Sequence, residues 1–486
     1  MVFYNIFDPN YILFTLYGQP IFSDKCLLSV YLLENATIMD LKKHAVLLII
    51  LTVFNILRSY SQQIIRPDSI KSKMQWFADG KLGIFIHYGI YDVDGVTESW
   101  AFHNREMTYA DYMAQLKGFK PKKYDPEAWA DLIKETGARY AVFTTKHHDG
   151  VALWNSYQSY LSVVHKTPAK KDLMLPFFQA LRKRGIKAGA YFSLIDWSDY
   201  RYPGFLKDSN RYDMKRDTNR WFQYRRFMNA QMDEIAQEVN PDLWWFDGDW
   251  EHSAEEWGAM NIREKLLTYN RNAIINGRLK GYGDYDTPEQ NFPVTRPDLP
   301  YWELCMTINN SWGYNPHDSA FKTPYEVITI FADCISKGGN LLLDFGPCAD
   351  GTIQPEQVNV LKELGKWNKK NETAVFNTIA GVPLGHFYGP TTLSKDSTKL
   401  YLFLTGTNSE HAIFKGLKNN IKSIKVVGRP DIDSVPYKIV GKISWSQNPG
   451  LLYIDVPKNA QDDYVTVLEM DLEGPIDLYE GKGGLN

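Results

Sequence analysis

The stretch "PDLWWFDGDWEHS", residues 241–253, decides how the chain is read. Leu243–Phe246 is a continuous apolar run rich in aromatics. It does not alternate, and it stops abruptly at Asp247, Gly248 and Asp249. A run of this length bounded by turn residues is the pattern of a strand buried on both faces, as in a parallel sheet. Asp and Gly are ordinary turn formers, and Asp247 could also cap a following helix. A carboxylate placed directly against Trp245 could equally be there for its chemistry.

The same pattern recurs outward from this run. "KLGIFIHYG" (81–89), "ARYAVFTTKHHDG" (138–150), "IKAGAYFSLIDW" (186–197), "NAIINGR" (272–278), "PYWELCMTI" (300–308) and "NLLLDFG" (340–346) read as strands. Helical stretches separate many of them: near 125–136, 173–185 (closed by Gly185), 220–240 and 324–337. Strands alternating with helices imply βαβ units and a parallel sheet. Seven or eight such units over residues 66–372 predict an α/β architecture, a (β/α)8-like TIM barrel. No GxGxxG follows a strand and no P-loop is present, which argues against a nucleotide-binding sheet. Asp344–Phe345–Gly346 reads as a strand end, because no other kinase motif accompanies it. From residue 373 to 486 the texture changes to short strands with turns between them: 399–406, 411–417, 421–428, 437–445 and 450–457. This predicts a C-terminal antiparallel β-sandwich.

Bulk properties narrow the function. The net charge is -3 across 486 residues, so no basic surface argues for nucleic acid. The 14 Trp and 30 Tyr suit either a large aromatic core or a flat ligand such as a sugar ring. The four cysteines show no disulfide framework or zinc spacing. "MDLKKHAVLLIILTVFNILRSYSQQ" (39–63) carries Lys42 and Lys43 before an apolar run too short for a comfortable membrane span. Residues 39–62 are therefore expected to be a signal peptide beginning at an internal Met. Residues 1–38 are expected to be a mis-assigned extension, and the mature protein to be secreted or periplasmic without a membrane anchor. Oligomeric state is not readable.

Barrels of this class place their active site at the C-terminal ends of the strands. Those ends supply His87, then Lys146–His147–His148–Asp149, then Tyr191, Ser193 and Asp196. Next come Trp245, Asp247 and Asp249, then Arg278 with Glu289 in "DYDTPEQ", and finally Trp302–Glu303. His87 alone could be a core histidine, and Arg278 could simply pair with a nearby acid. His147 and His148 are successive strand residues and should face opposite ways, unless a bend aims both inward. Neutral imidazoles suit ligand hydroxyls, so no metal and no cofactor are expected. Retaining glycoside hydrolysis needs two carboxylates, a nucleophile and an acid/base. Asp247 has an aromatic wall, and Asp249, Glu289 and Glu303 are its possible partners.

Taken together, "WFADGKLGIFIHYG" (76–89), "YAVFTTKHHDGVALWNS" (140–156), "DLWWFDGDW" (242–250), "WELCMTINNSWGYN" (302–315) and "SKGGNLLLDFGPCADGTI" (336–353) resemble the α-L-fucosidases of glycoside hydrolase family 29. The resemblance implies a barrel plus β-sandwich and a fucosylated oligosaccharide or polysaccharide as substrate. It makes Asp247 the nucleophile. His87, Trp100, His147, His148, Tyr191, Trp245 and Arg278 match positions that hold the fucose ring, and Trp312 faces the sugar's methyl group. The acid/base position varies within the family; Glu289 is the first choice and Glu303 the second. Asp249 is left as local loop structure. Many members carry Glu-Trp after the first strand, whereas this chain reads Glu98–Ser99–Trp100. Either Glu98 takes over that contact or it is lost, a departure that leans toward branched or linkage-specific fucosides. The expected activity is a retaining exo-α-L-fucosidase. The alternatives are an α-L-galactosidase or related glycosidase on the same scaffold, or a non-catalytic fucose-binding protein.

Overall fold

The computed structural model describes residues 67–204, 212–406 and 411–481, together with Thr15–Leu16 and Gln19–Pro20. The chain divides into two units, residues 1–70 and 71–486. Within the first, Thr15–Leu16 pairs antiparallel with Gln19–Pro20. The expected extension at 1–38 is otherwise undescribed, and the expected signal peptide at 39–62 lies outside the described residues. Among the described residues, no helix is long and apolar enough to cross a membrane.

The second unit is built on seven parallel strands: β1 Leu82–Ile86, β2 Tyr140–Lys146, β3 Lys187–Ser193, β4 Leu243–Asp247, β5 Ile274–Ile275, β6 Glu303–Thr307 and β7 Asn340–Phe345. Their order is β5-β4-β3-β2-β1-β7-β6. Every residue of β4 is buried, which explains its unbroken apolar run. Trp244 stacks on Phe246 at 5.8 Å on one face, while Trp245 and Asp247 share the other. The helices on the outside start where their caps dictate. Asp125 accepts from Glu127 N and Ala128 N ahead of helix Pro126–Glu135. Thr323 and Glu326 form a capping box at helix Pro324–Ser336. Helix Thr218–Val239 ends at Asn240 in the left-handed region.

Seven strands do not by themselves close a ring. Between β5 and β6 the chain carries Gly277, Gly281, Gly283, Pro288, Pro293, Pro297 and Pro300, which cannot sustain a strand ladder. The segment instead makes isolated parallel bridges: Asn276 to Tyr285, Asp286 to Trp302 and Glu289 to Cys305. These bridges link β5 to β6 where an eighth strand would lie.

The remaining strands are β8 Thr378–Ala380, β9 Thr391–Ser394, β10 Lys399–Leu404, β11 His411–Lys415, β12 Ile421–Val426, β13 Tyr437–Val440, β14 Leu451–Asp455 and β15 Thr466–Leu472. They form two antiparallel sheets, β8-β9-β10-β15-β12 and β11-β14-β13, enclosing a core that includes Leu402, Phe414, Ile454 and Leu468. The barrel and this sandwich belong to one compact unit. Trp367, on helix Pro355–Lys370, donates its indole N–H to Val465 O at 2.8 Å, and Phe403 and Val467 share the barrel's core.

Candidate active site

A cleft with about 320 Å3 of empty space opens at the C-terminal ends of β1 to β4. Asp247, Glu289, His87, Trp100, His147, Tyr191, Trp245, Arg278 and Trp312 all line it, joined by Phe85 and Glu98. His148 and Glu303, also expected there, lie buried behind this lining. Phe85 was not anticipated; its signal was its place two residues before His87 on the same strand face.

Asp247 is nearly buried, and its carboxylate is already engaged. The Tyr191 hydroxyl donates to Oδ2 at 2.9 Å, and Arg278 Nη1 donates to Oδ1 at 3.0 Å. The helix-cap reading does not apply, because Gly248 at φ +80 occupies the cap position of the short turn that follows. Asp249 is used locally: its carboxylate accepts Lys280 N at 2.8 Å, and its carbonyl accepts the Trp257 indole N–H.

Arg278 joins two acids rather than pairing with one. Its Nη2 donates to Glu289 Oε2 at 2.6 Å, its Nε donates to Thr287 Oγ1 at 3.0 Å, and its guanidinium lies 4.5 Å over the Trp245 ring. Such stacking leaves the planar fork free to donate at its edges. Glu289 is partly solvent-exposed, with 40% of its side chain accessible. Glu303 is fully buried. It accepts from the Tyr140 hydroxyl at 2.5 Å and the Trp245 indole at 3.1 Å, and burial pushes its carboxyl up to about 7.

The histidines share one arrangement, each with Nδ1 against a group behind it. His87 meets Asp344 at 2.7 Å, His147 meets Ser99 at 2.5 Å and His148 meets Ser193 at 2.6 Å. Burial drives all three well below the ordinary imidazole range. A register shift between Thr144 and Lys146 breaks the alternation at the end of β2. Beyond Lys146, the last residue of the strand, His147 and His148 are no longer bound to alternate, and their ring centroids lie 4.4 Å apart. Among the described residues, no group of three or more His, Cys, Asp or Glu is placed to hold a metal ion.

The departure at Glu98–Ser99–Trp100 keeps both outer residues in the cleft. Glu98 adopts φ 33, an uncommon conformation for a non-glycine residue. Its carboxyl accepts Gly313 N at 2.7 Å and is pushed up to about 7 by burial. The intervening Ser99 is the one that reaches His147.

The alpha-L-fucosidase family model matches residues 54–373. The chain belongs to the α-L-fucosidase family. It is 28% identical to an α-L-fucosidase of Dictyostelium discoideum over 473 residues, 87% of this chain and 97% of that relative. It is 33% identical to the tissue α-L-fucosidase of Homo sapiens over 338 residues, 62% of this chain and 68% of the human protein. Among solved fucosidase structures, isoenzyme 1 of Paenibacillus thiaminolyticus superposes with a TM-score of 0.74 at 30% identity, covering 83% of this chain and all of that one. A family 29 enzyme of Bacteroides thetaiotaomicron, trapped as a covalent intermediate with 2-fluoro-fucosyl fluoride, gives 0.73 at 27% identity, covering 83% of this chain and 96% of its own. These matches accord with the barrel and sandwich described above.

Proposed function

We propose that the chain is a retaining exo-α-L-fucosidase acting on terminal α-L-fucosyl residues of oligosaccharides or glycans. The observation that carries this reading is one guanidinium, Arg278, hydrogen-bonded to two different carboxylates of a single aromatic and imidazole-lined cleft. Asp247 attacks the anomeric carbon and forms the new bond as the glycosidic bond breaks. Glu289 gives its proton to the departing oxygen. Water then attacks the fucosyl ester, Glu289 takes a proton from it, and Asp247 leaves as carboxylate. The trapped covalent intermediate of the Bacteroides relative supports retention.

Exposure favours Glu289 over Glu303 as acid/base. Glu289 lines the cleft, whereas Glu303 is sealed under Trp245 by two donors. Trp312, packed against His87 with ring centroids 4.9 Å apart, gives the cleft an apolar surface that supports a methyl-bearing sugar over its C6-hydroxylated relative, L-galactose. The apolar segment at 39–62 supports a secreted or periplasmic enzyme. Aryl α-L-fucoside and α-L-galactoside should be compared using the wild type and Asp247→Gly. Turnover of the fucoside that disappears in the variant and partly returns with azide supports the reading. A variant as active as the wild type overturns it.

A further inference from the structure

Behind the cleft, Ser193 does something to His148 that the pairing distance alone does not show. Ser193 Oγ donates to the carbonyl of Ile195 at 2.8 Å. A serine hydroxyl has one proton. With that proton committed to Ile195, the oxygen meets His148 Nδ1, 2.6 Å away, only as an acceptor. Nδ1 therefore carries the imidazole proton. Burial, with Lys146, His103 and Arg278 nearby, keeps the ring from taking a second one. Nε2 is then a bare lone pair. It is buried without a hydrogen-bond partner and sits 3.6 Å from Asp247 Oδ2. Two acceptors at that separation cannot bond to each other, but the single proton of a hydroxyl brought beside them can go to Nε2.

We propose that Ser193 is a positioning residue that holds His148 in its Nδ1–H tautomer, so that Nε2 accepts a hydrogen bond from a sugar hydroxyl beside Asp247. This rests on the fucosidase reading given above. The opposite tautomer would aim an N–H at Asp247, which already accepts from Tyr191 and Arg278. A third donor would draw charge from the attacking carboxylate and would also turn away a hydroxyl that must donate. Which nitrogen is protonated is thus set by the hydrogen bond made at the other.

The test compares an aryl α-L-fucoside with its 2-, 3- and 4-deoxy analogues in the wild type, Ser193→Ala and Ser193→Thr. In the wild type, loss of one particular hydroxyl should cost the most in kcat/KM. Ser193→Ala should lower kcat/KM on the parent fucoside roughly 5- to 100-fold, the effect of one mispaired buried group. It should also shrink that one penalty toward those of the other analogues, while Ser193→Thr retains the wild-type pattern. An equal drop on all four substrates in Ser193→Ala would mean a purely structural role and overturn the proposal. Nitrogen NMR of histidine-labelled protein, with His148 assigned by its loss in His148→Gln, gives a readout that needs no turnover. Protonated Nδ1 and bare Nε2 support the proposal, and protonated Nε2 in the wild type overturns it. A wild type that shows the expected tautomer yet hydrolyses no fucoside would instead defeat the activity reading.

Discussion

Glu289 and Glu303 reach the Arg278–Trp245 pair from two different kinds of structure. Glu289 stands on a rim segment attached by single bridges, is partly open to solvent and is paired with a cation. Glu303 opens β6 on the cleft floor, is sealed from solvent, and is held by two neutral donors. In the sequence they are two glutamates, each a short distance beyond Arg278. Their surroundings separate them: the rim carboxyl can meet a glycosidic oxygen and then a water, while the floor carboxyl fixes the edge of the Trp245 wall.

The comparison can be broken in order of expected effect. Asp247→Gly removes the group that the rim carboxyl must work with, and kcat should fall on the order of 10^4-fold or more, with azide restoring part of it. Glu289→Ala should lower kcat about 10^2- to 10^4-fold on substrates with sugar or alkyl leaving groups, and far less on activated aryl fucosides. If Glu303→Ala reproduces that leaving-group dependence and Glu289→Ala does not, the assignments of rim and floor are reversed.

The third expectation concerns stability. Burial raises the Glu303 carboxyl to about 7 from the ordinary glutamate value of about 4.5. A raised folded-state value means that the folded protein holds the proton more tightly than the unfolded chain does. The stability this group contributes is therefore full below about pH 4.5 and is lost as pH rises through about 7, amounting to roughly 3 kcal/mol. Urea unfolding of Glu303→Gln between about pH 4.5 and pH 8 should show a flatter dependence than the wild type; an unchanged slope would mean the floor carboxyl is not held neutral. The smallest effect expected is on catalysis by the same variant. Gln keeps one acceptor for Tyr140 or Trp245, so kcat/KM should fall by no more than about tenfold, one misplaced hydrogen bond.

Much of this was legible because the chemistry sits where strands end. The apolar run 243–246 breaking at Asp247, and the polar endings of β1 to β3, mark both the barrel and its working face. What could not be read depends on partners distant in sequence. The bridging segment Tyr285–Glu289 looks like a Pro- and Gly-rich loop, because nothing local indicates that single bridges to β6 replace a strand. Strand β15 was not expected either: Glu469 and Asp471 interrupt "TVLEMDL", and the Lys399 that answers Glu469 lies 70 residues earlier. The close approach of the His147 and His148 rings follows from the strand ending at Lys146, a boundary that alternation alone does not reveal. The strained turn at Glu98 likewise has no sequence mark beyond the inserted Ser99.

The segment between β5 and β6 is also a seam. Where the other junctions of the ring are ladders, it is joined by isolated bridges, and one of them is Glu289 to Cys305. Sparse pairing lets a stretch of chain open independently of the rest. Warming should therefore loosen the rim carboxyl before the barrel itself melts. Amide exchange near 285–289 would outpace that of β1 to β4, and activity would decline at temperatures where the fold is still intact.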